Sequence, residues 1–324
     1  MLRTDIHADD YALTVNTSGD MLSCMEKGQL DSISIVPNMA CFGECMEMLY
    51  RAVPGLPFLP KMSVHLDFVE GHSLAGAGQV PLLVKDGGLM GLSWGGVFLL
   101  SYLPWKRRTA KEQLKKEIKA QIEAVQAAVR HAADIADKHK IPRMQKGIRI
   151  DSHQHAHMIP VVWEALVEVI IEEHYEVEYI RNSKEMMGEF LSETSLWKTY
   201  RPINFVKNRL LSLYSHKADR YAKKHDMEQM YLWGLIMSGR MDYDRIVRLY
   251  PKITARAEKD NRILEILFHP GLMLREEVSE EIGEEASRDF YLRQDRHVEM
   301  EAVGLIRKLS ETAAIPPPHP TEYP

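Results

Sequence analysis

The sequence of 324 residues has little of what marks specialised protein classes. Its three cysteines, Cys24, Cys41 and Cys45, are too few for a disulfide framework and lack the paired spacing of a zinc ribbon, so they are interpreted as buried thiols. The longest apolar stretch, 91–105, is too short and too rich in glycine to span a membrane. The formal net charge of −5 gives no indication of a basic surface that would bind the phosphates of nucleic acid. We therefore expect neither nucleic acid nor a membrane as a partner.

The first residues of the sequence have no pattern of a targeting signal, and the last ten have no pattern of a helix or strand. Residues 1–8 are polar and contain no apolar segment or cleavage site of a signal peptide, which predicts a cytoplasmic protein. Residues 315–324 contain five prolines and are predicted to form an extended or disordered tail. We expect one domain over 1–314, because α/β barrels often use such a length as a single unit.

Short runs of β-branched and apolar residues predict strands at 3–8, 32–36, 62–68, 147–151, 176–180, 231–235 and 263–268. Helical patterns lie between them, at 20–27, 42–51, 111–138, 161–172, 244–258 and 295–309. The clearest helix, 111–138, has apolar residues spaced by three or four and is preceded by a capping-box pattern at Thr109. The alternation of strands and helices predicts a parallel sheet, in either a barrel or a doubly wound arrangement.

Two long segments depart from this alternation. Residues 70–105 form a glycine-rich connection with several aromatic side chains, which is predicted to be a lid-like loop. Residues 185–230 are polar, contain lysine and arginine, and are predicted to be a mostly helical insertion. Connections of this length are usually functional. Among the aromatics, Trp94, Tyr102 and Trp105 are candidates for a platform that binds a sugar ring.

Histidine, in contrast, is abundant, with fourteen in the chain. Several histidines fall into segments at the C-terminal ends of predicted strands, namely 7–10, 63–67, 151–157 and 265–271. In a parallel barrel these strand ends converge on the face that carries active sites. Two imidazoles and a carboxylate can hold a divalent ion that acidifies water and polarises a carbonyl group. The sequence therefore predicts a metal-dependent hydrolytic site.

The neighbouring aspartates Asp9 and Asp10 suit a division of labour at such a site. Adjacent side chains on an extended segment point to opposite sides, so one carboxylate can bind the metal while the other acts as general base. Asp-Asp pairs also commonly begin turns or cap helices, so the pair carries weight only together with the histidine segments.

Two further segments contain alternating polar side chains. Asp151, His153 and His155 are expected on one face of an extended segment, where the carboxylate would orient an imidazole. Glu265 interrupts an otherwise apolar strand and alternates with His269. A buried carboxylate needs a polar partner, so we expect Glu265 to contribute to the site.

The order of these motifs resembles the YdjC-like carbohydrate deacetylase family. The motifs are Asp-Asp, His-Leu-x-x-x-x-Gly, Asp-Ser-His-x-His-x-His and Glu-x-x-x-His-Pro-Gly, and the resemblance spans residues 9 to about 309. It implies an incomplete (β/α) TIM-like barrel with about seven parallel strands, and hydrolysis of an N-acetyl group from an amino sugar. It also implies one divalent ion, magnesium in the family, although the ligand types suit zinc as well.

Matched residue by residue, the resemblance places the metal ligands at Asp10, His65 and His153 and the general base at Asp9. For the proton donor to the leaving amine, or the stabiliser of the oxyanion, the candidates are His269 and His155. The residues expected to support the site or contact substrate are His7, Asp67, Asp151 and Glu265. An acetylated sugar is the expected partner, and a homodimer is compatible with the sequence.

The sequence departs from the family pattern beside the site. Ala12 replaces the usual glycine after the aspartates, and Asp67 and Val69 follow His65 where members often have asparagine and threonine. The metal ligands match the family, whereas these residues beside them do not. We therefore expect metal-dependent hydrolysis, without expecting a specific preference for chitooligosaccharides. A barrel metallohydrolase acting on a phosphoester or cyclic amide is the alternative enzyme, and a sugar-binding regulator without turnover is the alternative outside enzymes.

Overall fold

A computed structural model describes residues 2–283, 285–293 and 297–313. Seven strands form one sheet in the order β5-β4-β3-β2-β1-β7-β6, and all neighbouring strands are parallel. The strands are β1 (Thr4–Tyr11), β2 (Ser32–Ile35), β3 (Lys61–Leu66), β4 (Ile148–Ser152), β5 (Val177–Ile180), β6 (Met230–Trp233) and β7 (Ile263–Phe268).

The described part of the chain contains ten α-helices that cover the outside of this sheet or lie beside its C-terminal edge. They are α1 (Val15–Glu26), α2 (Phe42–Ala52), α3 (Trp94–Leu100), α4 (Pro104–His139), α5 (Pro160–Glu172), α6 (Met187–Ser192), α7 (Pro202–Lys224), α8 (Tyr243–Lys259), α9 (Glu285–Tyr291) and α10 (His297–Ala313). None of the helices in the described ranges is both long and apolar enough to cross a membrane.

The sheet is curled into an incomplete TIM-like barrel, as the motif resemblance implied. Asp5 on β1 lies 3.0 Å from Arg149 on β4, although β2 and β3 separate these strands in the sheet. Contacts across the interior exclude the doubly wound alternative, whose sheet is open. The edge strands β5 and β6 approach each other just beyond β5, where the Leu232 amide donates to the Lys184 carbonyl at 3.0 Å.

The largest difference from the predicted elements is at α4. This helix begins at Pro104, seven residues before the predicted start, so the capping box at Thr109 is wrong because Thr109 lies inside the helix. Proline fits the first turn of a helix, where its missing N–H has no intrahelical partner. β1 also continues to Tyr11, three residues past its predicted end. The predicted helix 295–309 is observed from His297, and both its first two residues and the tail 315–324 lie outside the described residues.

The long connection at 70–105 is tied to α4 through buried polar groups. The Glu117 carboxylate accepts hydrogen bonds from the Ser73 hydroxyl and from the amides of Leu74 and Ala75. Residues 94–100 form the helix α3 within this connection. The segment 185–230 contains α6 and α7, in keeping with its helical pattern. Of the three thiols, Cys24 and Cys45 are buried and Cys41 is half-buried.

The cross-barrel pair of Asp5 and Arg149 leads to a stability prediction. Burial raises the pKa of Asp5, but the charges of Arg149 and Lys61 outweigh it and hold that pKa well below the ordinary value of 3.8. Asp5→Asn leaves Arg149 buried without its carboxylate, so we expect a loss of about 3–5 kcal/mol in the free energy of unfolding, measured with urea at pH 7.

The matched control for this prediction is Asp137→Asn, which removes the carboxylate of an exposed pair with Arg143 and should change stability little. Because the pKa of Asp5 is lowered on folding, its contribution is complete above pH 3.8 and is lost as the pH falls. The difference between wild type and Asp5→Asn should therefore shrink in acid. A difference that is equal at pH 7 and in strong acid would contradict the ion pair.

Candidate active site

The residues predicted as metal ligands meet on one face of the barrel. Asp10 Oδ1 lies 3.5 Å from His65 Nε2 and 3.1 Å from His153 Nδ1, and all three side chains are buried. One ligand atom from each residue lies within 4.8 Å of the others. One carboxylate and two imidazoles at this spacing are a suitable donor set for a divalent ion.

An irregularity in β1 delivers both aspartates to this cluster. The pairing with β2 shifts register between Ala8 and Tyr11, and Asp10 has φ 72°. The expectation that Asp9 and Asp10 point to opposite sides is therefore wrong, because a bulge interrupts the extended alternation. Both carboxylates approach the same atom, His65 Nε2, at 3.9 and 3.5 Å.

Ala12 takes the left-handed conformation that the glycine of the resembling sequences would favour. Its φ is 68°, the residue is fully buried, and its amide donates to the Ser18 hydroxyl at 2.9 Å. An L-residue in this region costs about 1–2 kcal/mol relative to right-handed backbone. The turn after Asp10 is thus formed despite the substitution.

Asp151 orients a histidine of the neighbouring strand instead of one from its own segment. Its Oδ1 lies 2.6 Å from His65 Nδ1, and its Oδ2 accepts from the Ser34 hydroxyl at 2.5 Å. The expectation of an extended face shared with His153 and His155 is wrong, because β4 ends at Ser152 and the chain then turns, with positive φ at Gln154 and His155. Asp151 thus leaves His65 Nε2 directed toward the cluster.

Arg181, immediately after β5, is the basic residue at the centre of the barrel interior. Its guanidinium holds both oxygens of Asp9 at 2.7 Å, Glu265 Oε1 at 2.7–2.8 Å and Asp151 Oδ2 at 3.3 Å. Its side chain is 0% exposed, so the three carboxylates share one desolvated cation. Arg181 is the expected partner of Glu265, which also accepts from the Tyr179 hydroxyl at 2.6 Å.

The charges in this interior shift the pKa values of the aspartates. Burial raises the pKa of Asp9, but Arg181 and His65 outweigh it and hold that pKa well below its ordinary value. The same balance between burial and Arg181 lowers the pKa of Asp151 to about 2. Both carboxyl groups are therefore ionised at neutral pH.

The two imidazoles of the cluster shift in the opposite direction. Burial lowers their pKa values, but nearby carboxylates outweigh it and raise the pKa of His65 to about 10 and that of His153 to about 9. A cation that binds there would take the place of these protons, because metal ligands bind in their deprotonated form.

Two of the predicted supporting residues are buried beneath the site and do not line the cavity above it. His7 lies 2.6 Å from both Ser32 Oγ and Ser34 Oγ, and its Nε2 is 3.2 Å from Asp9 Oδ1. The Asp67 carboxylate accepts from the amides of Val69 and Glu70, at 2.8 and 3.1 Å, and so holds the turn after β3. Asp67 therefore shapes the backbone and does not face the substrate space.

The two candidate proton donors, His269 and His155, do line this cavity, which also exposes Asp9 and the metal cluster. His269 follows β7, its amide donates to Glu299 Oε2 at 2.7 Å, and its Nδ1 lies 3.7 Å from the same oxygen. His155 Nδ1 lies 3.0 Å from Ser183 Oγ. Burial and the charge of Arg181 hold the pKa of His155 well below its ordinary value.

The cavity has a volume of about 560 Å³ and is built from several distant segments. Its walls include Trp94 on α3, residues of α7, and Phe290 and Tyr291 on α9. The Trp94 ring stacks on Phe98 at 5.3 Å, whereas the other platform candidates, Tyr102 and Trp105, are exposed and lie outside the lining.

Sequence reasoning identified the cluster but missed Arg181, which holds Asp9 beside it, and Glu70 and Tyr291, which lie against His153. Arg181 lies directly after a predicted strand, the same position that drew attention to the histidines, and this signal could have found it. Glu70 and Tyr291 lie in irregular sequence with no pattern that marks them.

Comparisons with known proteins agree with the motifs. A family model described as YdjC-like protein matches residues 5–150 and 148–304. No curated protein matches the chain. A solved structure from Enterococcus faecalis V583, of a "putative cellobiose-phosphate cleavage protein", is similar with a TM-score of 0.56 at 16% identity, covering 94% of this chain and 95% of that one. At this identity, the likeness shows a shared fold alone.

The position of Arg181 leads to a prediction about folding. Arg181→Met leaves three buried carboxylates without their cation, so we expect a loss of about 3–5 kcal/mol in unfolding free energy, or failure to fold. Arg181→Lys keeps the charge but loses the two-pronged contact with Asp9, and should be less destabilised. Urea denaturation checks both variants, with the exposed Arg143→Met as control. Wild-type stability of Arg181→Met would contradict the neutralising role.

Proposed function

The chain belongs to the YdjC-like family, and on that footing we propose that it is a metal-dependent hydrolase that removes an N-acetyl group from an amino sugar or oligosaccharide. The observation that carries the proposal is the pairing of two features on the cavity floor. One is the cluster of Asp10, His65 and His153, and the other is Asp9 beside it, fixed by Arg181.

The metal cluster suits one divalent ion, with Asp10, His65 and His153 as the residues that would hold it. When bound, such an ion polarises the acyl carbonyl and acidifies water. Magnesium follows from the family, and the two imidazoles suit zinc equally well. The proposal does not depend on which ion is used.

Asp9 is the proposed general base. Arg181 fixes both of its oxygens, yet a carboxylate has about four lone-pair positions and retains acceptors for a water molecule. Its lowered pKa keeps it at neutral pH in the ionised form, which is the form that can accept a proton. The fixed geometry orients the attacking water, which reduces the entropic cost of the reaction.

His269 is the better candidate to protonate the leaving amine. Its ring lines the cavity, its Nδ1 lies 3.7 Å from a Glu299 oxygen, and its amide donates to the same oxygen, so Glu299 holds the imidazole in place beside the substrate space. His155 instead has its Nδ1 at hydrogen-bond distance from Ser183 and lies near the Arg181 cation. We therefore assign His155 to substrate contact.

The cavity agrees with a sugar substrate of limited size. Its volume of about 560 Å³ is in the range of small-molecule sites. Trp94 presents an aromatic surface in the wall, and the apolar ring face of a sugar can pack on such a side chain.

A two-metal phosphoesterase is disfavoured by Arg181. His7, Asp9 and Asp151 form a second group with metal-ligand spacing. The Arg181 guanidinium, however, already contacts Asp9 at 2.7 Å and Asp151 at 3.3 Å, so a second cation there would face a fixed positive charge.

We therefore predict one ion per chain. Equilibrium dialysis against zinc or magnesium, followed by elemental analysis, measures the stoichiometry. Asp10→Asn should remove this binding and serves as the control. Two tightly bound ions per wild-type chain would favour the phosphoesterase.

A pair of isosteric variants separates binding of the ion from catalysis. Asp9→Asn should keep the metal but lose about 10²–10⁴-fold in kcat, because the general base is removed. Asp10→Asn should lose both metal and activity. Acetate release from acetylated mono- and oligosaccharides with several divalent ions measures turnover, and elemental analysis measures metal content.

Two outcomes would contradict the proposal. Full activity of Asp9→Asn would exclude its role as base. Tight sugar binding by the metal-loaded wild type, without acetate release under any condition, would instead support a sugar-binding regulator.

A further inference from the structure

The outer nitrogen of His153 is held by a buried pair of side chains from distant parts of the chain. The Tyr291 hydroxyl on α9 lies 2.8 Å from His153 Nε2, and the same hydroxyl donates to Glu70 Oε2 at 3.1 Å. Tyr291 is 1% exposed and Glu70 is 2% exposed. These contacts form a chain from a carboxylate, through a phenol, to a predicted metal ligand.

The backbone of Glu70 is fixed by the turn after β3. Its amide donates to Asp67, and its carbonyl accepts from the Asn38 side chain at 2.7 Å. The next residue, Gly71, has φ 70°, and a Cβ there would lie 2.5 Å from the Asn38 carbonyl oxygen. Only glycine fits this approach, which explains the glycine of the His-Leu-x-x-x-x-Gly motif.

The phenol of Tyr291 is equally constrained. Ser287 and Tyr291, four residues apart and so on one face of α9, both interact with Glu70. Tyr291 also packs in a small apolar cluster with Leu13, Val36, Met39, Met273 and Ile282. The hydroxyl therefore has little freedom to turn away from His153.

The same contacts determine which nitrogen of His153 faces the metal cluster. The Tyr291 hydroxyl lies 2.8 Å from Nε2 and occupies that side of the ring. The other nitrogen, Nδ1, lies 3.1 Å from Asp10 Oδ1 and is directed at the cluster, where an ion would take the place of its proton. His65 has the opposite arrangement, with Nδ1 on Asp151 and Nε2 toward Asp10.

We propose that Tyr291 and Glu70 are positioning residues that fix His153 with Nδ1 toward the ion, so that α9 completes the metal centre. The inference rests on the metal site of the proposed function but not on its substrate or reaction. Groups that hold the outer nitrogen of a histidine ligand set its orientation and raise its basicity.

Metal affinity tests this role without reference to activity. By isothermal titration calorimetry with zinc, Tyr291→Phe should bind about 10- to 100-fold more weakly than wild type. Glu70→Gln keeps an acceptor for the phenol and should lose less affinity than Glu70→Ala. The matched control is Tyr231→Phe, which removes a buried phenol bonded at 2.7 Å to Asp260, at the opposite end of the barrel. If Tyr291→Phe loses no more zinc affinity than Tyr231→Phe, the inference is overturned.

The coordinating nitrogen gives a second readout, which a merely structural role for Tyr291 would not predict. In protein labelled with ¹⁵N-histidine and loaded with ¹¹³Cd, coupling between the two nuclei should identify Nδ1 of His153 and Nε2 of His65. In Tyr291→Phe the His153 coupling should weaken or move to Nε2. Coordination through Nε2 in the wild type would overturn the inference.

These results are separable from the proposed reaction. Zinc binding with the expected nitrogens but no acetate release would leave this inference standing and overturn the deacetylase. A wild type that binds none of the tested ions would overturn the metal centre and this inference together.

Discussion

The ion pairing of Arg181 is the interaction on which the rest of the site depends. Four strands, β1, β4, β5 and β7, bring Asp9, Asp151, Arg181 and Glu265 into the barrel interior, and the single guanidinium contacts all three carboxylates. Without it, three desolvated negative charges would repel one another. A buried ion-paired group of this kind is weak evidence for a high free energy of unfolding. It does favour one arrangement of the four strands, because only that arrangement brings all three carboxylates to the guanidinium.

Each of the two histidine ligands is held through its outer ring nitrogen, which is Nδ1 in His65 and Nε2 in His153. The outer nitrogen of His65 is held directly by a carboxylate of the adjacent strand, and that of His153 is held through a phenol by Glu70. Each imidazole thus presents a defined nitrogen to Asp10. A site held from behind in this way can bind an ion without reorganising, which matters because catalysis depends on preorganised geometry.

The departures from the family pattern are accommodated by the backbone. Ala12 adopts the left-handed conformation without the glycine that would favour it. Asp67 places its added charge on the amides of its own turn, away from the cavity. The same turn fixes Glu70, because the Glu70 amide donates to Asp67. The presence of aspartate at position 67 therefore affects a residue that supports the metal centre. With both residues present, Asp10, His65 and His153 lie within metal-binding distance of one another.

Much of the fold could be predicted because its patterns are local. Alternation of strand and helix indicates a parallel sheet, and the position of the histidines at strand ends indicates one shared face. The errors occurred where local regularity ends. The bulge in β1 turns Asp9 and Asp10 toward the same cluster instead of to opposite sides. α4 begins at Pro104, before the apolar pattern from which its start was predicted. Such features depend on single residues and not on a period.

The sequence by itself determined which chemical groups are present and that strand ends carry them, because side-chain type and strand periodicity are local properties. Only the tertiary structure decided which groups become partners. Asp151 faces His65 because β3 and β4 are neighbours, and Tyr291 reaches His153 because α9 folds back over the barrel. Pairings between residues that are 86 and 138 positions apart depend on strand order and chain reversal, and neither is recorded in a local pattern.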